Sequence, residues 1–184
     1  MPLLGSGERE YRPFPREDRR DEAHGEGEVP LMLALLELPR GARILELGCG
    51  PGATLAPVAR LLAPSRLVGI DIDRELLARA AGQLAAAGAR AELVRGDARA
   101  LPFPDASFDV VLDFGTIYHI ARPADALAEA ARVLAAGGLY VTETRFNQAL
   151  SHPIRSLGRS IPWRAVPALA PRLRTLMWEV RVRR

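Results

Sequence analysis

Three acidic residues of this chain lie where they could act together on one ligand. Glu46, Asp71 and Asp97 stand at or just beyond the ends of three short runs rich in Ile, Leu and Val. Such runs predict buried parallel strands, and the carboxyl ends of parallel strands meet at one edge of a sheet. We therefore expect the three carboxylates to line one crevice. There they would attract a cationic nucleoside and accept hydrogen bonds from its hydroxyl and amino groups.

A glycine-rich loop, Gly48-Cys-Gly-Pro-Gly-Ala53, follows the first of these runs and opens a helix-like segment. Glycines at these positions allow a sharp turn and let a ligand lie against the backbone. Asp71 follows about twenty residues later, where a carboxylate can accept hydrogen bonds from ribose hydroxyls. Because Gly48, Gly50 and Ala53 also satisfy the dinucleotide fingerprint, the loop alone fits either a dinucleotide or S-adenosylmethionine.

The charge of Glu46 favours one of these two cofactors. The pyrophosphate of a dinucleotide would lie at the glycine loop, where the adjacent carboxylate would repel it. S-adenosylmethionine has no phosphate and carries a sulfonium and an ammonium, which the carboxylate would attract. We therefore predict S-adenosylmethionine as cofactor and S-adenosylhomocysteine as product, with a nicotinamide-dependent oxidoreductase as the less favoured alternative. The Tyr-x-x-x-Lys pair of short-chain reductases is absent, because none of the 25 basic residues is Lys.

The composition excludes several other classes. Without Lys there is no Schiff-base or P-loop enzyme, and a single Cys allows neither an intrachain disulfide nor a Cys-rich metal site. The longest apolar run, 31–36, is too short to span a bilayer, and the charged N-terminal residues do not resemble a signal peptide. We expect a cytoplasmic protein with no membrane association and no bound metal.

The acids and the loop require a sheet to position them, and the sequence alternates strand-like with helix-like segments. This alternation predicts a Rossmann-like α/β fold, a doubly wound, mostly parallel sheet with helices on both faces. Residues 1–40 are predicted to form an arm and a helix, and 41–184 the rest of a single domain. The predicted strands are 43–47, 67–70, 91–95, 108–112 and 139–143. The predicted helices are 31–38, 53–62, 74–87 and 123–134, with Asp73 capping the third and Gly137-Gly138 ending the last.

The C-terminal strand region is predicted to be shortened. Leu176, Trp178, Val180 and Val182 alternate as in a strand, but four prolines precede them after the fifth predicted strand and no partner strand is evident. Three outcomes stay open. The edge is a shortened hairpin, the last strand pairs alone with the sheet, or a second copy completes the edge in a homodimer.

Five motifs in order resemble those of class I S-adenosylmethionine-dependent methyltransferases, especially the small-molecule branch that includes the ubiquinone and menaquinone methyltransferases. The resemblance covers roughly residues 40 to 145. The motifs are Ile44–Gly52, Gly69–Asp73, Gly96–Ala98, Phe108–Val111 and Arg132–Gly138.

The resemblance implies cofactor-binding residues at the ends of the first four strands. Those after the first and fourth strands would hold the methionine part, those after the second would contact the ribose and adenine, and those after the third the adenine edge. The set is Glu46, Gly48, Cys49, Gly50, Asp71, Ile72, Asp97, Ala98, Asp113 and Phe114.

Candidate catalytic residues follow the fourth strand. His119 could serve as a general base if the acceptor must lose a proton, and Tyr118 is a second candidate. Alternatively, His119 only packs or hydrogen-bonds at the start of a helix. The Asn-Pro-Pro-Tyr motif of amino-directed DNA methyltransferases is absent, and the equivalent stretch reads Asp113-Phe-Gly-Thr116.

A small-molecule acceptor is the leading prediction, but the basic C-terminal region leaves room for others. Residues 145–184 hold nine Arg and one acid, which could bind RNA or an anionic acceptor or could form a solvated surface. An RNA or protein methyltransferase is therefore the main alternative, followed by a non-catalytic cofactor-binding protein. In the N-terminal arm, Tyr11, Arg12 and His24 are candidates to close over the cofactor.

Overall fold

The structure is a computed structural model that describes residues 27–147 and 160–184. Seven strands form one sheet: β1 Arg43–Leu47, β2 Arg66–Asp71, β3 Glu92–Arg95, β4 Phe108–Asp113, β5 Leu134–Glu143, β6 Leu169–Arg174 and β7 Trp178–Arg183. The helices are α1 Val29–Leu35, α2 Leu55–Leu62, α3 Arg74–Ala86 and α4 Pro123–Val133. Single 3₁₀ turns span Thr116–Tyr118 and Trp163–Ala165.

The sheet is doubly wound, as predicted. Its strand order is β3-β2-β1-β4-β5-β7-β6, and β1 to β5 run parallel while β7 and β6 pair antiparallel. The order reverses between β1 and β4, which is the topological switch point where ligands bind in such sheets. The glycine loop follows β1 at this point.

The two faces of the sheet are buried under separate hydrophobic clusters. Leu45, Val111 and Tyr140 face one cluster, which includes Leu127 of α4. Ile44, Leu112 and Val141 face the other, which receives Leu55 of α2 and Met32 of α1. The central strands β1 and β4 are apolar on both faces because helices or loops cover both sides.

The helix ends are partly as predicted. Asp73 caps α3, since its carboxylate accepts hydrogen bonds from the backbone N–H groups of Glu75 at 2.7 Å and Leu76 at 3.3 Å. The prediction that Gly137-Gly138 ends α4 is wrong. The helix ends at Val133, and the two glycines lie within β5, where the register with β4 shifts. The β-bulge needs a left-handed residue, and Gly137 supplies it at φ +77°.

Of the three outcomes left open for the C-terminal edge, a hairpin is the one observed. β6 pairs antiparallel with β7, and β7 pairs antiparallel with β5. Pro171 obscures β6 in the sequence because proline cannot donate to a ladder, yet it is tolerated in an edge strand. A register shift between Pro171 and Leu173 accompanies it.

Among the described helices, none is long and apolar enough to cross a membrane.

Candidate active site

The glycine loop is fixed against the turn that follows β4. The Thr116 hydroxyl donates a 2.9 Å hydrogen bond to the backbone oxygen of Leu47. Gly48 has φ +60°, and a Cβ built on it would lie 2.2 Å from Thr116 Oγ1. Only glycine fits between the loop and this side chain, so Gly48 joins the ends of β1 and β4 closely.

Gly50 differs from Gly48, which lies against Thr116, because the backbone of Gly50 faces open space. A Cβ built on it would meet no atom within 4 Å. Its backbone N–H donates a 2.8 Å hydrogen bond to Asp71 Oδ2, which ties the loop to the end of β2. Asp71 Oδ1 accepts a second bond from the Asp73 N–H at 2.9 Å. The half-buried Asp71 carboxylate therefore lies beside an open place on the loop, as predicted.

Asp71 and Glu46 give the loop a negative field. Glu46 is 2% exposed and accepts a hydrogen bond from the Thr54 hydroxyl at the start of α2. Burial, reinforced by the charges of Glu46 and Asp71, raises the pKa of the buried Cys49 thiol. Cys49 is therefore a neutral loop residue. Glu46 would act on a ligand through its charge, since the protein itself encloses its carboxylate.

The third acid is paired within the chain. Arg99 holds the Asp97 carboxylate, with Nε at 3.0 Å and a terminal nitrogen at 2.6 Å. This pairing keeps the pKa of Asp97 below its usual range. The Asp97 side chain stays 33% exposed, which leaves it room to accept a further hydrogen bond. Ala98 is buried beside it, and Ile72 is half-buried after β2.

Asp113, like Glu46, has a buried carboxylate. It accepts hydrogen bonds from the Tyr140 hydroxyl at 2.7 Å, the Thr142 hydroxyl at 3.0 Å and the Ile117 N–H at 3.2 Å. Burial raises the pKa of Asp113 despite these donors. This side chain anchors the turn after β4 to β5. The sequence did not indicate this anchoring role, since the two hydroxyl donors lie on another strand.

The two candidate catalytic residues lie in the anchored turn. Tyr118 is 8% exposed, and its hydroxyl donates a 3.2 Å hydrogen bond to the backbone oxygen of Glu143. Burial raises the pKa of Tyr118, which therefore remains protonated at neutral pH and is unsuited to act as a base. His119 ends the turn, with its N–H bonded to the Thr116 oxygen at 3.0 Å, and is half-exposed. Phe114 is buried and packs edge-on against Trp178, with ring centres 5.5 Å apart.

A cavity of about 290 Å³ lies beside Tyr118, near the ends of β5 and β6 and the start of β7. Trp163 helps to line this cavity, a role that its sequence context did not indicate. A second cavity of about 430 Å³, around Arg66, Arg90 and Glu92, lies at the opposite edge of the sheet, away from the three acids. The arm residues Tyr11, Arg12 and His24 fall outside the described residues.

The residues at the switch point fit S-adenosylmethionine by their chemistry. Gly50 leaves open space where a ligand can approach the backbone, and Asp71 offers carboxylate oxygens beside it. Burial is the main cause of the raised pKa of the Cys49 thiol, and the charges of Glu46 and Asp71 that add to it are of the sign that a sulfonium and an ammonium require.

Comparisons with known proteins point to one family. A family model described as a methyltransferase domain matches residues 45–142. A ubiquinone biosynthesis O-methyltransferase of Roseobacter denitrificans is 33% identical over 141 residues, which are 77% of this chain and 56% of that protein. A fatty-acid O-methyltransferase of Mycolicibacterium smegmatis is 38% identical over 101 residues, or 55% of this chain and 36% of that protein. The chain thus spans only part of the length of these relatives.

The fold has a match over nearly its whole length. A solved structure from Methanococcus maripaludis, provisionally named an S-adenosyl-L-methionine-dependent methyltransferase, superposes with a TM-score of 0.74 and 18% identity. The match covers 97% of each chain. The family model alone spans more than half of the 184 residues. The chain therefore belongs to the methyltransferase domain family, within the class I S-adenosylmethionine-dependent methyltransferase superfamily.

Proposed function

We propose that the protein is an S-adenosylmethionine-dependent methyltransferase whose acceptor is a small molecule. The observation that carries the proposal is the Asp71 carboxylate, bonded to the Gly50 N–H at 2.8 Å and adjacent to open space at the switch point. An acid at this position serves a ribose, and the negative field of the loop selects against a pyrophosphate.

The cofactor supplies a methyl group on a positively charged sulfur. Asp71 would accept hydrogen bonds from the ribose hydroxyls, and the backbone of Gly48–Gly50 would line the methionine part. Asp97 would accept from the adenine amino group while Arg99 holds it in place. Charge from Glu46 would stabilise the cationic groups across a short distance.

Four further residues would complete the cofactor site. Ile72 and Ala98 would pack on the adenine, and Phe114 with the Asp113 main chain would lie under the methionine. Ala98 and Phe114 are buried, while Ile72 is half-buried, which suits contact with an apolar ring.

The turn after β4 would orient the acceptor. Because its pKa is raised, Tyr118 would position the acceptor through its ring rather than take up a proton. His119 would accept a proton from the acceptor where one must be lost. Methyl transfer is an in-line displacement, so positioning contributes much of the rate.

The small-molecule acceptor is supported by relatives named for ubiquinone biosynthesis and fatty-acid methylation. To test it, the full chain is incubated with S-adenosylmethionine carrying a tritiated methyl group and a bacterial extract divided into small-molecule, RNA and protein fractions. Asp71→Asn is the matched control, because the amide keeps the shape of the carboxylate. We expect label to enter the small-molecule fraction with the wild type and to fall with the variant. Label confined to RNA or protein would contradict the proposal.

A further inference from the structure

The cavity beside Tyr118 lies at the edge of the sheet that carries the cofactor-site residues. Tyr118 follows β4, Arg145 follows β5, and Arg174 ends β6. In the antiparallel ladders, Glu179 at the start of β7 is opposite both Thr142 and Arg174. This register brings the start of β7 beside the end of β5, so the cavity occupies the half of the edge away from Asp71 and Asp97.

The lining of this cavity carries a positive charge. Arg145, Arg174 and Arg181 contribute three guanidinium groups, and Glu179 contributes one carboxylate. The carboxylate is already engaged, because Arg181 pairs with Glu179 at 2.7 Å and both side chains are 11% exposed. Glu179 therefore does not offset the charge of Arg174.

Arg174 is placed to act on a ligand. It is exposed, and no ion pair or side-chain hydrogen bond joins it to another residue within the described ranges 27–147 and 160–184. Arg181, by contrast, is held in the wall. It stacks on Trp163 with its central carbon 3.8 Å from the ring centre and donates to the Leu169 backbone oxygen at 3.0 Å. Arg181 is thus held in the cavity wall, while the N–H groups of Arg174 can still donate to a ligand.

Apart from Ser160, the remaining wall is apolar and aromatic. Trp163 packs edge-on against Tyr140, with ring centres 5.9 Å apart, and Ile161 packs on the same hydrophobic cluster. The ring of Tyr118 closes another side. A volume of about 290 Å³ with such walls suits an organic ring or a short hydrocarbon segment. The cavity therefore combines a surface for an apolar body with a cationic group for its end.

We infer that this cavity binds the acceptor and that the acceptor is an apolar small molecule bearing a carboxylate, which Arg174 binds. The inference rests on the proposed function, because it places a substrate beside the cofactor site. A guanidinium offers parallel N–H donors whose spacing matches a carboxylate, and the pairing is strengthened by partial removal from water. Trp163 and Tyr118 would contact the apolar body, and Arg145 would add to the attraction.

The test compares acids with their neutral counterparts. The full chain, saturated with S-adenosylhomocysteine, is titrated in a calorimeter with benzoate, 4-hydroxyphenylacetate and octanoate, and with the primary amide of each. We expect at least one acid to bind at least tenfold more tightly than its amide. Arg174→Met should remove this preference, and Arg174→Lys should retain part of it because the positive charge remains.

Arg172 provides the matched control. It is an exposed arginine on the same edge strand but does not line the cavity, so Arg172→Met should leave the acid preference unchanged. Equal loss in the two Met variants would mean a general surface field and would overturn the inference. So would three acids that bind no better than their amides while S-adenosylhomocysteine binds normally, a result that leaves the proposed function intact.

Two further outcomes are decisive. Failure of S-adenosylhomocysteine to bind would remove the proposed function, and with it the inference. A single-stranded RNA 20-mer is titrated in parallel. If Arg174→Met weakened RNA binding and changed no acid titration, the surface would belong to RNA and the acceptor inference would be wrong.

Discussion

The two halves of the sheet edge hold their charged groups by different means. On the side of β1 to β3, the Asp71 carboxylate is fixed by backbone N–H groups from its own loop and the neighbouring loop. On the side of β5 to β7, the charges are guanidinium groups on long side chains, and Arg181 is fixed by stacking on Trp163. The Asp71 carboxylate in the first half is therefore held by backbone donors, whereas Arg181 in the second half is held by a side-chain contact.

This difference matches the two tasks of a methyltransferase. A cofactor shared across a family can be held by backbone and by acids at fixed strand ends. An acceptor that differs between relatives requires side chains that can be exchanged without rebuilding the sheet. We call the side of β1 to β3 the cofactor half and the side of β5 to β7 the acceptor half. Substitutions in either half, or at the joint between them, should have different effects, the largest at the joint.

The joint between the halves is the contact of Gly48 with Thr116, and Gly48→Ala should break it. The added Cβ would lie 2.2 Å from Thr116 Oγ1 on a backbone at φ +60°. We expect the free energy of unfolding to fall by about 2–4 kcal/mol through overpacking and backbone strain, measured by urea denaturation. Gly50→Ala is the control, since its φ is +52° but its Cβ meets nothing within 4 Å. An equal loss in both variants would show that the Thr116 contact is unimportant.

Asp71→Ala should affect the cofactor half alone. The variant loses charged hydrogen bonds to the ribose, so we expect the affinity for S-adenosylhomocysteine to weaken by roughly 1.5–3 kcal/mol in a calorimetric titration. Asp109→Ala is the control, because Asp109 is an acid paired with Arg43 at 2.7 Å near the opposite edge of the sheet. An unchanged affinity for Asp71→Ala would remove the ribose role from this residue.

The acid–base behaviour of Asp97 gives a smaller effect. Its pKa is lowered by Arg99, so its contribution to stability is present above the unfolded value of about 3.9 and is lost as the pH falls through the lower native value. We expect Asp97→Asn to reduce the free energy of unfolding by about 1 kcal/mol at pH 7, a figure that allows for its partial exposure. Denaturation near pH 2 should show almost no difference. A constant difference at both pH values would exclude the Arg99 pairing as its source.

The predictability of the site follows the same division. The acids at or just beyond the ends of β1, β2 and β3 could be found from the sequence, because each stands at the end of an apolar run. The buried environment of Asp113 could not be predicted, since its donors Tyr140 and Thr142 come from another strand. The strand β6 was missed because Pro171 interrupts its pattern, although an edge strand accommodates it.

The smallest effect is expected in the acceptor half, for Tyr118→Phe. Loss of the 3.2 Å hydrogen bond to the Glu143 oxygen should lower the free energy of unfolding by about 0.5 kcal/mol. Because burial raises the pKa of Tyr118, Tyr118→Phe should leave the pH profile of methyl transfer unchanged, whereas His119→Asn should slow transfer to an acceptor that must lose a proton. A pH profile altered by Tyr118→Phe, together with a rate unaffected by His119→Asn, would reverse the roles assigned to the two residues.

The acid-lined half of the edge, formed by β1 to β3, should select a nucleoside without phosphate over a dinucleotide. Parallel calorimetric titrations of the full chain with S-adenosylhomocysteine and with NADH measure this preference. We expect saturable binding of S-adenosylhomocysteine and none of NADH, because Glu46 repels a pyrophosphate at the glycine loop. Binding of NADH without binding of S-adenosylhomocysteine would show that this edge holds a dinucleotide instead.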